Sequence, residues 1–318
     1  MPDYDFLIID SYNIAHKWFY SHQPQLLASV SNKLIYLSFV KTYMDYIDLL
    51  KERFGTTDCI VYNLFDNPLS RQKLKHTVTQ YSPTRIRYEL DPGYKANRKK
   101  ESKEFYNSIQ FIKFLFSIKG PNYMTIRIPN LEADDLVKPL ISEKCGEGKT
   151  LMVSEDMDWC RFLSPFVHVL SGGVNSQITT IETFAQKYDF PPSEEKIILH
   201  KILFGDTSDN IRPVFPEIPK KIRHNIVKSC RSITDLYSYS LKEFEDYKQI
   251  FEHHKKDMKI AYQLLSVIPV EEGKLDYYII KGRQAVRLQE MVDKIFEEFE
   301  SKKTPAKFSF GKLKCPRL

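Results

Sequence analysis

The side chains best suited to chemistry in this chain are its acids. They gather first in Leu131–Leu140, LEADDLVKPL, where Glu132, Asp134 and Asp135 open a helix-patterned run. The segment before it, Tyr123–Ile128, reads as a short apolar strand, so these carboxylates stand where a strand hands over to a helix N-terminus. The positive end of a helix dipole tolerates acids, and N-capping accounts for one or two of them. A third carboxylate in the same turn adds repulsion unless cations lie among them. On a helix Glu132 and Asp135 share a face while Asp134 is turned by about 100° from its neighbour. This segment alone therefore leaves capping and metal binding both open.

Acids recur at the ends of other apolar runs. Phe6–Ile9 ends in Asp10, Cys59–Phe65 ends in Asp66, and Lys149–Val153 runs into SEDMDW, with Asp156 and Asp158 two residues apart. Short, fully apolar runs suggest buried parallel strands, and ligands of α/β sheets bind at the carboxyl ends of such strands. A cap explains any one of these acids, but three strands ending in acids are hard to assign to capping alone. A later loop, FGDTSDNIRPVFPEIPKK, adds Asp206 and Asp209, followed by prolines and lysines. Cations concentrate in residues 67–100, with Arg71, Lys73, Lys75, Arg85 and Arg87. That stretch ends in GYKANRKK, where Tyr94 precedes Lys95, Arg98, Lys99 and Lys100. Cations beside an acidic site can hold a phosphate that the acids would repel, although a solvated basic face is the commoner meaning of a charge run.

Positioning such groups takes an alternating strand and helix framework, and the apolar spacing supplies one. Ser31–Phe54 carries a helical stripe, Glu104–Ile118 an amphipathic helix rich in Phe, and Phe166–Leu170 with Gln177–Ile181 an edge hairpin or final strands. Pro191 and Pro192 mark a boundary, beyond which residues 194–204, 220–230, 241–253, 257–267 and 285–299 read as helices. The expected fold class is α/β, a mostly parallel central sheet flanked by helices and followed by a helical region.

The chain has 318 residues, 42% of them hydrophobic and 13% aromatic, enough for a large core. A net charge of +6 beside so many clustered acids implies basic surfaces elsewhere, which suit polyanions. Cys59, Cys145, Cys160, Cys230 and Cys315 show no CxxC spacing, so a reducing cytosol and no zinc site are expected. The N-terminus lacks a long apolar run, and no stretch of about 18 apolar residues occurs, so a soluble, unexported, cytoplasmic chain without a membrane partner is expected.

Taken in order, Asp10 after the first strand, Asp66 in LFDN, YKANR, EADDL, SEDMDW and GDTSDNI resemble the flap endonuclease and 5′-to-3′ exonuclease family. The match runs through roughly the first 230 residues. Chain length and the helical C-terminus look most like its bacteriophage ribonuclease H and exonuclease branch. The resemblance implies a PIN-like nuclease domain over 1–190 with a short helical arch around 91–118. It further implies a DNA-binding domain with a helix-three-turn-helix over 191–300 and a basic tail over 301–318. It implies two Mg²⁺ or Mn²⁺ ions, one near Asp10, Asp66, Glu132 and Asp134, the other near Asp135, Asp156, Asp158, Asp206 and Asp209, some through water. Lys95 and Arg98 would position the scissile phosphate and Tyr94 would stack on a base. Lys99, Lys100, Arg212, Lys220, Lys221 and Arg223 would touch DNA.

The implied activity is a structure-specific 5′ nuclease, in replication or repair, on 5′ flap, nicked or primer-bearing duplexes, RNA–DNA hybrids included. The chain would act as a monomer in the bacterial or phage-infected cytosol, aided by a clamp or single-strand-binding protein. Two departures stand out: about 27 residues separate Asp66 from Tyr94, and the family's glycine-rich hairpin is here IRPVFPEIPKK, which weakens the case for a K⁺ ion there. Rival readings are a non-catalytic nucleic-acid binder of the same fold and a PIN-type ribonuclease. A haloacid-dehalogenase-like phosphatase lacks its DxD, because Ser11 and Tyr12 follow Asp10.

Overall fold

The computed structural model describes residues 3–29, 35–66, 83–97, 101–238 and 242–281, together with 290, 292–294 and 296–297 of a final helical stretch. Arg71, Lys73, Lys75, Arg98, Lys99, Lys100 and the tail 301–318 lie outside the described residues.

Seven strands form one sheet, in which the sixth, fifth, fourth, first, second, third and seventh in chain order lie side by side. The strands β1 (Tyr4–Asp10), β2 (Gly55–Leu64), β3 (Tyr123–Ile126), β4 (Thr150–Val153) and β5 (Val167–Leu170) run parallel. Both edges, β6 (Ile178–Thr179) and β7 (Ile279–Lys281), are antiparallel. Leu7, Ile8 and Ile9 are all fully buried, so both faces of β1 are covered, as its unbroken apolar run requires.

On one face, α1 (Ser11–Ser29), α2 (Ile35–Phe54) and α4 (Lys103–Ile118) enclose a core that includes Ile14, Phe19, Tyr43, Phe105 and Phe116. Ser102 caps α4 through its hydroxyl, which accepts the Phe105 N–H at 3.1 Å. Of the arch expected around 91–118, residues 98–100 lie outside the described residues, and the described part from Lys103 on is a core helix. Most of α4 is apolar around its circumference, and a helix of that kind belongs inside a protein.

The other face is covered by α5 (Ala133–Leu140), a 3₁₀ turn at Met157–Phe162, α6 (Ile181–Tyr188) and α7 (Glu194–Phe204). One apolar cluster runs from Ile8 and Met152 through Trp159 and Ile202 to Phe215, Phe251 and Leu264, so it continues past the Pro191–Pro192 boundary. The later helices α8 (Lys220–Ser229), α9 (Ile233–Ser238), α10 (Lys248–His253) and α11 (Lys255–Leu265) thus share a core with the sheet. A further helix, α3 (Pro83–Leu90), precedes the YKAN turn. Among the described residues no helix is long and apolar enough to cross a membrane.

Candidate active site at the carboxyl edge of the sheet

Sheet register decides which acids meet. Asp10 pairs with Leu64, Leu64 with Ile126, and Ile9 with Val153, so β1 to β4 all end along one edge. Asp66, Glu132 and the Ser154–Asp158 loop follow directly from those ends. They surround a cleft of about 820 Å³ lined by Asp10, Asp66, Glu132, Asp134, Asp156, Asp158 and Asp209, with Lys95 among them.

Asp10 is 6% exposed; its Oδ2 accepts the Ser154 hydroxyl at 2.7 Å and its Oδ1 the Asn13 N–H at 3.3 Å. Burial and the charges of Asp66 and Asp156 nonetheless push its carboxyl well above the usual range. Asp66 accepts the Ala133 N–H at the start of α5 at 2.8 Å, and burial with the neighbouring Glu132 raises its carboxyl too. Burial and Asp158 push Asp156 up to about 7. Here the acids are short of positive charge, and their donors are all hard oxygens, which suits a small divalent cation. Among the described residues no three His, Cys, Asp or Glu side chains are drawn together tightly enough to hold a metal as they stand. Mutual repulsion spreads uncompensated carboxylates, and two lysines have taken several of them as partners.

The first of these is Lys95, whose Nζ lies 2.6 Å from Glu132 Oε1 and 3.5 Å from Asp209 Oδ1. The second is Lys201, near the C-terminus of α7, with Nζ 2.5 Å from Asp158, 2.6 Å from Asp206 and 3.8 Å from Asp156. Arg161 Nη2 lies 2.7 Å from Asp158 as well. Burial would raise the Asp158 carboxyl, yet Arg161 and Lys201 outweigh it and hold the group down at about 2. Sequence reading missed Lys201, Arg161 and Ser154. The only signal was their spacing from acids, Lys201 five before Asp206 and Arg161 three after Asp158, and both look like ordinary helix-surface cations.

Two of the expected ligands turn away from the cleft. Asp135 is fully buried and accepts Arg87 Nη2 at 2.9 Å, the Ile268 N–H at 2.8 Å and the Glu132 N–H at 3.1 Å, the last as half of a capping box. Asp206 accepts the Ser208 N–H at 2.9 Å and the Ser208 hydroxyl at 2.6 Å, folding its own loop. With their lone pairs taken, both acids build the site from outside the cleft. Arg87, grouped by sequence with a phosphate-binding stretch, is 3% exposed and bridges Glu132 at 2.8 Å, Asp135 and the Ser266 carbonyl at 3.0 Å.

The YKAN turn is fastened to the GDTSDN loop. Lys95 N–H donates to the Asp209 carbonyl at 2.9 Å, Asn97 Nδ2 to the Thr207 carbonyl at 2.7 Å, and Asn210 Nδ2 to the Gly93 carbonyl at 2.8 Å. Tyr94, expected to stack on a base, is buried beneath the turn. Its ring is 1% exposed, packs against Tyr88, and its hydroxyl donates toward Glu132 and Asp209 at 3.3 Å each.

Of the residues expected to touch a duplex, Arg212, Lys220 and Lys221 are exposed. Arg223 is not: it is 7% exposed, donates to the Leu203 carbonyl at 2.7 Å and lies over the Phe204 ring. The GDTSDN loop before IRPVFPEIPKK begins at Gly205, where φ is +82° and a β-carbon would stand 2.8 Å from Pro213 Cδ. Only glycine fits there.

The model of the family described as 5′-3′ exonuclease, N-terminal resolvase-like domain, matches residues 5–189. DNA polymerase I of Mycobacterium bovis is 30% identical over 226 residues, 67% of this chain and 24% of the relative, so the chain spans about a quarter of that protein's length. A 5′-3′ exonuclease of Buchnera aphidicola is 28% identical over 224 residues, 65% of this chain and 76% of the relative. The T5 D15 protein, co-crystallised with metal ions, superposes with a TM-score of 0.61 at 18% identity, covering 93% of this chain and 98% of that one, and so shares its fold. With residues 5–189 matched, more than half of its length, the chain belongs to the 5′-3′ exonuclease family.

Proposed function

We propose that this chain is a divalent-metal-dependent 5′ nuclease that hydrolyses phosphodiester bonds near the 5′ ends of strands in nicked, flapped or primer-bearing duplexes. The observation that carries the reading is the convergence of acids from four successive strand ends on one cleft, with Lys95 held among them. Asp10, Asp66, Glu132 and Asp134 would hold one Mg²⁺ or Mn²⁺, and Asp156, Asp158 and Asp209 a second. Asp135 and Asp206 would support them from behind. When bound, such a pair lowers the pKa of water and stabilises the leaving oxygen of a phosphodiester, so no protein nucleophile is needed.

The chain's own residues do the positioning. Lys95, stretched between Glu132 and Asp209, offers an ammonium to a phosphate oxygen at the mouth of the acid cluster. Lys201 and Arg161 fix the Asp158 carboxylate in its charged form. Arg212, Lys220 and Lys221 face solvent on the hairpin and α8, where cations suit the phosphates of a duplex. A role in replication or repair, and help from a clamp or single-strand-binding protein in a reducing cytosol, belong to the same proposal. Labelled 5′ flap, nicked and RNA-primed duplexes, incubated with Mg²⁺, Mn²⁺ or chelator, provide the test. Metal-dependent release of short products from the 5′ end is expected. Intact substrates at saturating metal would overturn the reading.

A further inference from the structure

One wall of the cleft is made by a face of α1 that begins directly after Asp10. Asn13, His16, Lys17 and Tyr20 all line the cavity, at the spacings that bring helix residues to one face. Two of them meet acids from different walls. His16 Nε2 lies 3.2 Å from Glu101 Oε1, just before α4, and Lys17 Nζ forms an ion pair with Glu155 in the loop after β4. The four side chains remain partly open to solvent, at 46% and 26% exposed for His16 and Glu101 and 59% and 25% for Lys17 and Glu155. Neither acid belongs to the metal cluster described above.

The arrangement is built rather than incidental on the His16 side. Its ring lies 4.6 Å from Tyr20 and meets Phe105 edge-on at 5.5 Å. Glu101 Oε2 accepts the Tyr20 hydroxyl at 2.7 Å, and that hydroxyl accepts the Ser102 N–H at 3.2 Å. Lys17 is seven residues past Asp10, about 10 Å along the helix. By the rise of about 3.4 Å per nucleotide along one strand, that is roughly three nucleotides from the acids. A donor and a cation at that range suit phosphates a few nucleotides along the strand from the bond being cut, and the carboxylates now on them stand where phosphate oxygens would go.

We propose that His16 and Lys17 form a second phosphate-binding subsite of the cleft, and that Glu101 and Glu155 occupy its donors until a strand presenting phosphates displaces them. Glu101 and Glu155 then act as specificity determinants, disfavouring ligands too short to displace both. This inference rests on the nuclease reading and adds a place where the strand is selected.

The test is binding of the full chain, in chelator so that cleavage is silent, to a nicked duplex with a short 5′ single-stranded arm and to the same duplex without it. Fluorescence anisotropy gives the affinity. Because an exposed ion pair is weak, Glu155→Gln is expected to tighten binding to the armed duplex by about three- to fivefold. No gain is expected on the unarmed duplex or in a Lys17→Ala background. Glu101→Gln is expected to act likewise through His16, with the gain abolished in His16→Ala. A Glu155→Gln affinity equal to wild type overturns the proposal. So does a gain that persists with Lys17→Ala, which is what general charge removal would give. Wild type that neither binds nor cuts the duplexes overturns the nuclease reading itself, whereas cleavage with an unresponsive Glu155→Gln sinks only the subsite.

Discussion

The amide of Lys95 donates to the carbonyl of Asp209 at 2.9 Å while the ammonium of the same residue lies 3.5 Å from the Asp209 carboxylate. Backbone and side chain thus bind one residue of a loop far away in sequence. Lys95 sits at φ +52° and Asn210 at φ +60°, conformations that a β-carbon disfavours. Strain of this kind persists where surrounding contacts over-determine it, here the hydrogen bonds of Asn97 and Asn210 across the same junction.

Because those hydrogen bonds are made by the backbone and by neighbours, Lys95→Ala should keep the clasp and lose only the ammonium. A loss of about 100-fold in single-turnover cleavage is expected, the size found on removing one charge-stabilising donor. Rapid-quench kinetics at saturating enzyme measures it. Cleavage at the wild-type rate with weaker binding would place Lys95 on a general basic surface instead.

Asp156 and Asp158 differ in what they leave behind. Asp158 is the carboxylate partner of buried Arg161 and one of the partners of Lys201, so Asp158→Asn strands the Arg161 charge, leaves Lys201 to Asp206, and should lower stability by about 3 kcal/mol. Burial and the charge of Asp158 outweigh the more distant Lys201 at Asp156, so Asp156→Asn should leave the metal-free protein as stable or more so. Both variants should lose cleavage. Urea denaturation in chelator separates them, and equal stability of the two would mean the Arg161–Lys201 clamp contributes nothing.

The raised carboxyls also set a pH dependence. Asp156 titrates near 7 in the folded chain and near an ordinary carboxylate value, about 4, when unfolded. Between those values the folded state binds more protons, so this group's contribution falls as pH rises. Melting curves in chelator for wild type and Asp156→Asn are expected to coincide near pH 4 and to part by pH 7, the variant melting higher. Mg²⁺ should close the gap by binding the folded wild type. Parallel curves across that range would remove Asp156 from the repulsive cluster.

Arg87 joins α3 to Glu132, Asp135 and the Ser266 carbonyl from a buried position. A lysine cannot reproduce that fork. Arg87→Lys should therefore destabilise the fold by about 2 kcal/mol or more, the cost of loosening a buried charge network, while the affinity of the folded fraction for DNA stays near wild type. Thermal melts and anisotropy on one preparation decide it. A weakened affinity with an unchanged melt would return Arg87 to the phosphate-binding stretch.

Much of this arrangement was legible because strand ends announce themselves. The apolar runs ending in Asp10, Asp66 and SEDMD place those acids on one sheet edge by register alone. What sequence could not reveal was direction. Asp134 and Asp135 are neighbours, yet one lines the cleft and the other is claimed by Arg87, since adjacent helix residues point about 100° apart and only packing decides which faces inward. Tyr94 and Arg223 sit in basic, polar stretches that suggest solvent, but the ring and the guanidinium are each consumed by carboxylate or carbonyl partners from distant segments. The α4 stripe of Phe residues reads as core from sequence and is core.

The altered hairpin yields the last prediction. Pro213, Pro216 and Pro219 remove backbone N–H donors that a glycine-rich turn would offer to phosphates, so side chains must provide the grip. Arg212, Lys220 and Lys221 are exposed and available, whereas Arg223 is tied to Leu203. Taking one cation away from a phosphate should lower the slope of log affinity against log salt by about one. Lys220→Ala with Lys221→Ala is thus expected to reduce that slope by up to about two. Arg223→Ala should leave the slope alone and lower the melting temperature, because it breaks a buried hydrogen bond to a carbonyl at the end of α7. Duplex affinity across a salt series, with melts of each variant, tests both halves. An unchanged slope in the double variant would show that the start of α8 does not touch the phosphates, and the duplex would have to be held by another surface.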